Sequence, residues 1–92
     1  MLTEAPLDLE EVLGRLGARD HGAVVTFSGV VRGLEGGAPI GAIVYEAYRP
    51  MAEAELARIA REASARWSVA AAASHRLGAV KVGEASLIVA VQ

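Results

Sequence analysis

"GAVVTFSGVVRG", residues 22–33, is the stretch of sequence that decides the fold. It is apolar and rich in β-branched residues, which favours a core-forming strand, and it closes on Arg32 followed by a glycine. Alternation assigns its side chains to two faces, unless Gly29 carries a bulge. One face would hold Val25, Phe27, Gly29 and Val31, and the other Val24, Thr26, Ser28, Val30 and Arg32.

The segment after this strand predicts a hairpin. Residues 33–39, "GLEGGAP", have the composition of a flexible loop. Residues 40–48, "IGAIVYEAY", again have the pattern of a strand. We expect the two strands to pair with each other across this long connection.

Two amphipathic segments predict helices. Residues 8–17 begin with Asp8, a favourable N-cap, and end at Gly17, which suits a left-handed position after a helix. Residues 50–67 begin with Pro50, which the first turn of a helix tolerates. This longer helix carries an apolar stripe that we expect to be buried, made of Leu56, Ile59, Ala60, Ala63 and Trp67.

The remaining segments complete an α+β pattern. Residues 69–76, "VAAAASHR", are ambiguous because their alanines favour a helix, but they follow a complete amphipathic helix, and we predict a strand. Residues 85–91, "ASLIVAV", predict a strand more clearly. The order of helix, strand, strand, helix, strand, strand predicts a single α+β domain over residues 1–92, with a mainly antiparallel sheet.

Composition argues against several classes of function. A net charge of −2 with one Trp, two Tyr and one Phe is unlike a nucleic-acid-binding surface. No apolar run reaches the ~18 residues of a membrane span, and the N-terminus lacks the pattern of a signal peptide. There is no cysteine, and His21 and His75 belong to different predicted elements. We therefore expect no metal, no cofactor, no contact with membranes or nucleic acid, and a cytoplasmic location.

Arg32 has two interpretations. A guanidinium stays charged and can hold a phosphate or carboxylate through two donors, so an arginine at a strand end beside glycines could be an anion site. Alternatively, Arg32 is a solvated side chain paired with Glu35 or Glu46, and spacing alone favours this second interpretation.

Three blocks of the sequence resemble a known family, the large, catalytic subunit of molybdopterin synthase. In order they are F-x-G-x-V-R in residues 27–32, Y-E-x-Y-x-x-M-A in residues 45–52 and H-R-x-G-x-x-x-V-G-E in residues 75–84. The resemblance covers residues 22–91 without a break. Outside this family, a ferredoxin-like sensor of small ligands remains the alternative.

The resemblance implies a fold, a reaction and partners. The fold would be an α/β-hammerhead. The reaction would convert cyclic pyranopterin monophosphate to molybdopterin, with sulfur delivered by a thiocarboxylate on the Gly-Gly tail of a ubiquitin-like small subunit. The large subunits would pair as a homodimer. Arg32 matches the pocket arginine of the family, with Val30 and Val31 in the same wall, contributing through backbone rather than side chain.

The chain also departs from the family pattern. In the family the last strand continues into a His-Arg pair, a long helix and a segment with two pocket lysines, whereas these 92 residues resemble only the N-terminal two-thirds. Lys81 is the only lysine and matches neither, and His75–Arg76 belongs to the earlier block, so no catalytic residue is assigned. We expect the chain alone to be inactive. A truncated or split product, a fragment, a degenerate paralogue, and a non-catalytic dimerisation or small-subunit-binding module remain open.

The last strand predicts self-association. Without a helix over it, either Leu87, Val89 and Val91 or the alternate Ile88 and Ala90 would meet water beside unpaired strand edges. We expect a homodimer or higher oligomer at micromolar concentration.

Overall fold

The structure, a computed structural model, describes residues 1–17 and 20–92. Its helices are α1 (Leu9–Gly14) and α2 (Arg49–Trp67). Its strands are β1 (Leu2–Thr3), β2 (Val25–Val30), β3 (Leu34–Glu35), β4 (Ala38–Pro39), β5 (Ala42–Tyr45), β6 (Ala71–Arg76), β7 (Gly78–Lys81) and β8 (Ala85–Val91). This confirms the α+β class with two helices, and every strand pair except β1–β6 is antiparallel.

The main sheet has four strands in the order β1-β6-β8-β2. β8 lies inside it, with β6 on one side and β2 on the other, so its backbone is paired along both edges. This explains why the ambiguous segment before it is a strand, as predicted. The alanines of β6 are small, and a ladder to β8 supplies the hydrogen bonds that a helix would have supplied.

Helix α1 covers β6 and β8 on one face of the sheet. Val12 of this helix packs with Ala72, Ile88 and Ala90, and these four residues form the buried core cluster. The Asp8 carboxylate accepts a hydrogen bond from the Glu10 N–H and caps α1, as predicted. The helix ends at Gly14, three residues earlier than expected, because the chain turns at Arg15 before the left-handed Gly17.

Helix α2 matches its prediction in extent but not in burial. It runs from Arg49 to Trp67 with Pro50 in its first turn, yet none of its residues is buried. Ile59 and Trp67, assigned to the buried stripe, are 51% and 62% exposed. The reason is placement: α2 lies over β6 and β1, at one side of the sheet, so part of its apolar face meets solvent.

On the face of the sheet where α2 packs, the two strands beyond β6 present an apolar surface that α2 does not cover. It comprises Leu87, Val89 and Val91 of β8 and their neighbours Val25 and Phe27 of β2, which stand opposite Val91 and Val89. We call these five residues the open strip. Val25 and Phe27 are 69% and 60% exposed, so the prediction that residues 22–33 form a core strand is wrong. Within the part of the chain that the structure describes, β2 is an edge strand paired with β8 alone.

The predicted hairpin between residues 22–33 and 40–48 is also wrong. β2 pairs with β8, and β5 pairs with β7. The connection instead folds on itself, because Gly36 and Gly37 adopt positive φ and join β3 to β4 in a two-residue turn. That local hairpin leaves β2 and β5 to pair with other strands.

None of the described helices is long and apolar enough to cross a bilayer.

Candidate functional site

The candidate site begins where β2 ends. The β2–β8 ladder is regular as far as Gly29 and Leu87, and then Val30 pairs with Ala85, so β8 carries one extra residue, Ser86. This is a β-bulge, but its extra residue lies on β8, opposite Gly29 and Val30, and not at Gly29 itself, where the sequence suggested one. A bulge redirects the side chains beyond it, and bulges are frequent beside functional sites.

Beyond the bulge, Val30 and Val31 face opposite environments. The Val30 side chain is 57% exposed, whereas Val31 is 3% exposed. The Val31 N–H donates to the Glu84 carbonyl at 3.1 Å, and the Val31 carbonyl accepts from the Gly83 N–H at 2.8 Å. Both main-chain groups of Val31 are therefore engaged by the β7–β8 turn, and this fixes the position of the next residue, Arg32.

Arg32 projects away from the sheet, and its side chain is 71% exposed. Its Nε and Nη2 donate to one carboxylate oxygen of Glu35, at 2.9 Å and 2.6 Å. The structure thus contains the Glu35 ion pair that the sequence offered as one alternative. An exposed pair of this kind contributes only about 0.2–1 kcal/mol, so a second anion that binds the guanidinium more strongly can displace Glu35.

The β7–β8 turn brings residues of the third sequence block against Val31. The Glu84 carboxylate accepts from the Lys81 N–H at 2.8 Å and lies 3.3 Å from Nη1 of Arg76. The Lys81 N–H bond and the Arg76 charge lower the pKa of Glu84 below its ordinary value. Gly83 has φ +86°, a conformation that glycine adopts without strain. The spacing of Arg76, Gly83 and Glu84 in this block therefore has a structural basis that no local pattern of the sequence indicated.

A cavity of about 350 Å³ lies between α2 and the strands β5 and β6. Its walls include Tyr45 and His75 and the apolar side chains of Leu56 and Leu77. The rings of Tyr45 and His75 pack edge to face, with their centroids 4.8 Å apart. His75 Nδ1 lies 2.8 Å from the Arg76 carbonyl. The contact between the Tyr45 and His75 rings was not predicted, because the two residues lie on different strands and no local pattern joins them.

The other sequence candidates stay apart from this region. His21 and Lys81 are exposed, and Lys81 takes part through its main-chain N–H. Within residues 1–17 and 20–92 there is no cluster of three side chains of the types that hold a metal ion. The structure therefore brings together Arg32, the Val31 backbone, Glu84 and Arg76 at one end of the sheet.

Comparison with known proteins shows which proteins the chain is similar to. The chain is 38% identical over 91 residues to a protein of Bacillus subtilis named "Molybdopterin synthase catalytic subunit", covering 98% of this chain and 58% of that protein. A protein of the same name from Thermoplasma volcanium is 36% identical, with 98% and 66% covered. The chain thus spans roughly three-fifths to two-thirds of the length of these relatives.

Solved structures give the same result. The crystal structure of molybdopterin synthase from Staphylococcus aureus superposes with a TM-score of 0.91 at 32% identity, covering 98% of this chain and 66% of that one. The family described as "MoaE protein" matches residues 2–92. Because that match spans nearly the whole sequence, the chain belongs to the MoaE protein family.

Proposed function

We propose that this chain contributes to molybdenum cofactor biosynthesis as part of the large subunit of a molybdopterin synthase. The observation that carries the proposal is the family match over residues 2–92, together with relatives named as catalytic subunits. Those names favour a catalytic role over a non-catalytic module of the same fold. The substrate would be cyclic pyranopterin monophosphate, and the sulfur donor the thiocarboxylate tail of a ubiquitin-like small subunit.

In this proposal Arg32 holds the phosphate of the substrate. Its exposed guanidinium can reach a ligand, and its backbone is fixed by the bonds of Val31. A phosphate offers several oxygens to the two donors that now share one oxygen of Glu35. The binding would release Glu35, at the small cost of an exposed ion pair. The resemblance implied backbone contributions from both Val30 and Val31. Because Val30 is 57% exposed and Val31 is 3% exposed, Val30 would instead form the adjacent wall through its side chain, and Val31 would act by fixing Arg32.

The test is the affinity for cyclic pyranopterin monophosphate, measured by calorimetry. We expect Arg32→Ala to weaken binding by about 10- to 150-fold, which corresponds to the ~1.5–3 kcal/mol of a hydrogen bond to a charged group. The control is Arg61→Ala, which removes the same charge from the exposed surface of α2. Equal dissociation constants for the Arg32→Ala variant and the unmodified chain would refute the assignment.

Turnover is a separate expectation. Lys81 is the only lysine of the 92 residues, and its side chain is exposed on β7. If the sulfur transfer uses pocket lysines, as the family resemblance implies, they come from outside these residues. We therefore expect the chain with thiocarboxylated small subunit to form little product. Conversion within tenfold of a full-length relative would show that other residues suffice.

We also propose that copies of the chain associate through the open strip. Its five apolar residues belong to adjacent strands, and two of them are largely exposed. At about 25 cal/mol per Å², burial of about 400 Å² of such surface favours association by the order of 10 kcal/mol before the entropic cost is subtracted. A homodimer is the simplest arrangement that buries it.

A cytoplasmic location also remains a proposal, which cell fractionation can check.

A further inference from the structure

The side chain of Glu84 joins three segments at the end of the sheet where Arg32 lies. One carboxylate oxygen accepts from the Lys81 N–H, and the other faces the Arg76 guanidinium. The Glu84 N–H in turn donates to the Lys81 carbonyl at 3.0 Å. Glu84 therefore closes the β7–β8 turn from both its backbone and its side chain, and connects the turn to the end of β6.

The same turn supplies both main-chain partners of Val31. The Gly83 N–H and the Glu84 carbonyl bond to Val31 on either side of its Cα, immediately before Arg32. Val31 lies beyond the bulge, where the regular ladder to β8 has ended. The direction in which Arg32 leaves the sheet is therefore set by the conformation of the turn.

The surroundings of the Glu84–Arg76 ion pair favour a rigid β7–β8 turn. The Arg76 side chain is 13% exposed, and its Nε donates to the Glu4 carbonyl, so the guanidinium is held from two sides. A carboxylate that accepts a backbone N–H and faces a held guanidinium has few alternative rotamers that keep both contacts. By contrast, Arg32 and Glu35 are each mostly exposed and can separate at little cost.

We propose that Glu84 is the positioning residue of the Arg32 anion site, acting through the Val31 backbone. The inference rests on the proposed role of Arg32 as that site. Glu84 itself does not touch the anion. Its carboxylate holds the turn, the turn holds Val31, and Val31 orients the guanidinium before a phosphate arrives, so that less freedom is lost on binding.

The experiment uses the 92-residue chain and inorganic phosphate as the probe, at constant ionic strength. The NMR signal of the Arg32 Nε–H reports binding at that side chain. We expect Glu84→Ala to raise the phosphate dissociation constant about three- to tenfold, the range for ordering one flexible side chain on binding. The Arg32 Nε–H signal of the free protein should also shift or broaden.

Rescue separates positioning from general destabilisation. Glu84→Gln keeps an oxygen that can accept the Lys81 N–H but turns an NH2 group toward the Arg76 guanidinium, so it should restore only part of the affinity. Gly83→Ala strains the same turn at φ +86° and should weaken phosphate binding in the same direction. Glu62→Ala, which removes an ion-paired carboxylate from α2, should leave the affinity unchanged. If Glu84→Ala does not fold, Gly83→Ala carries the test.

The outcomes are distinguishable. If Arg32→Ala abolishes phosphate binding and Glu84→Ala changes the dissociation constant less than twofold, the positioning role is wrong while the anion site stands. A loss in Glu84→Ala with no change in the Arg32 Nε–H signal of the free protein would also overturn the role, since Glu84 would then affect binding without orienting Arg32. If phosphate binding is the same without Arg32, the proposed anion site itself fails.

Discussion

Strand β8 presents alternate residues to two faces of the main sheet, and the two faces differ in their cover. Ile88 and Ala90 lie under α1 and are 4% and 0% exposed. Leu87, Val89 and Val91 point to the opposite face, where α2 leaves them only half-buried. Both sets are apolar, so composition does not distinguish the faces. What distinguishes them is where each helix lies, because α1 packs on β8 and α2 packs on β6.

This difference teaches that an apolar strand pattern predicts that a face will be buried, but not which element of the chain will pack over it. A strand that is apolar on both faces is typical of a sheet with a layer on each side. In this chain α1 packs over one face of β8, whereas on the other face α2 packs over β6 and does not reach across β8. The closed face should therefore contribute most to stability, and the open strip most to association.

The largest effect should come from the closed face. Ile88→Ala removes buried methyl groups beneath α1 and should lower the free energy of unfolding by about 2–4 kcal/mol. Leu87→Ala, on the neighbouring residue of the same strand, should cost clearly less because its side chain is half-buried. Urea denaturation of both variants measures the difference. Equal losses would mean that the two faces are equally closed in solution.

The next effect concerns the open strip. Val89→Asp places a charge in the strip and should weaken self-association about 100-fold or more, because an unpaired carboxylate would have to be desolvated in the interface. Thr26→Asp adds the same charge to the opposite face of β2 and should leave association unchanged. Sedimentation velocity reports both. A clean 9.5 kDa monomer of the unmodified chain at high concentration would end the proposal of a homodimer.

The smallest effect tests the helix that makes the closed face. Asp8→Ala removes the N-cap of α1 and should cost about 1 kcal/mol of stability, with the oligomeric state unchanged. Asp20→Ala, the control, removes an exposed carboxylate outside this helix. Thermal unfolding compares them. A change in association with Asp8→Ala would show that α1, rather than the open strip, lies in the interface.

The sequence predicted elements better than their partners. The strand at residues 85–91, the helix after Pro50 and the Asp8 cap were all predicted, because periodicity, proline and capping act within a few residues. The pairing of β2 with β8 was missed, since it joins segments far apart in the chain. The exposure of Ile59 and Trp67 was missed for the same reason: a stripe shows which face of a helix is apolar, not how far the sheet extends beneath it.

The site shows the same limit. Arg32 could be selected from its place at a strand end, and its pairing with Glu35 was one of the two interpretations. Glu84 could not be selected for its role, because its contacts run to a backbone N–H and to an arginine on another strand. A bulge was a conditional expectation at Gly29, whereas the extra residue is Ser86 of β8. Such features depend on the register between strands, which no single segment encodes.

The position of β8 in the sheet has a consequence for synthesis. β8 follows β1, β2 and β6 in the chain, yet it lies between β6 and β2. As the chain grows from its N-terminus, β2 has no partner strand until β8 has been made, and its valines and phenylalanine remain without a ladder throughout that interval. Such non-local pairing slows folding and leaves a strand edge open to neighbouring nascent chains. The rate of translation through residues 31–91 should therefore affect how much protein is recovered in native form.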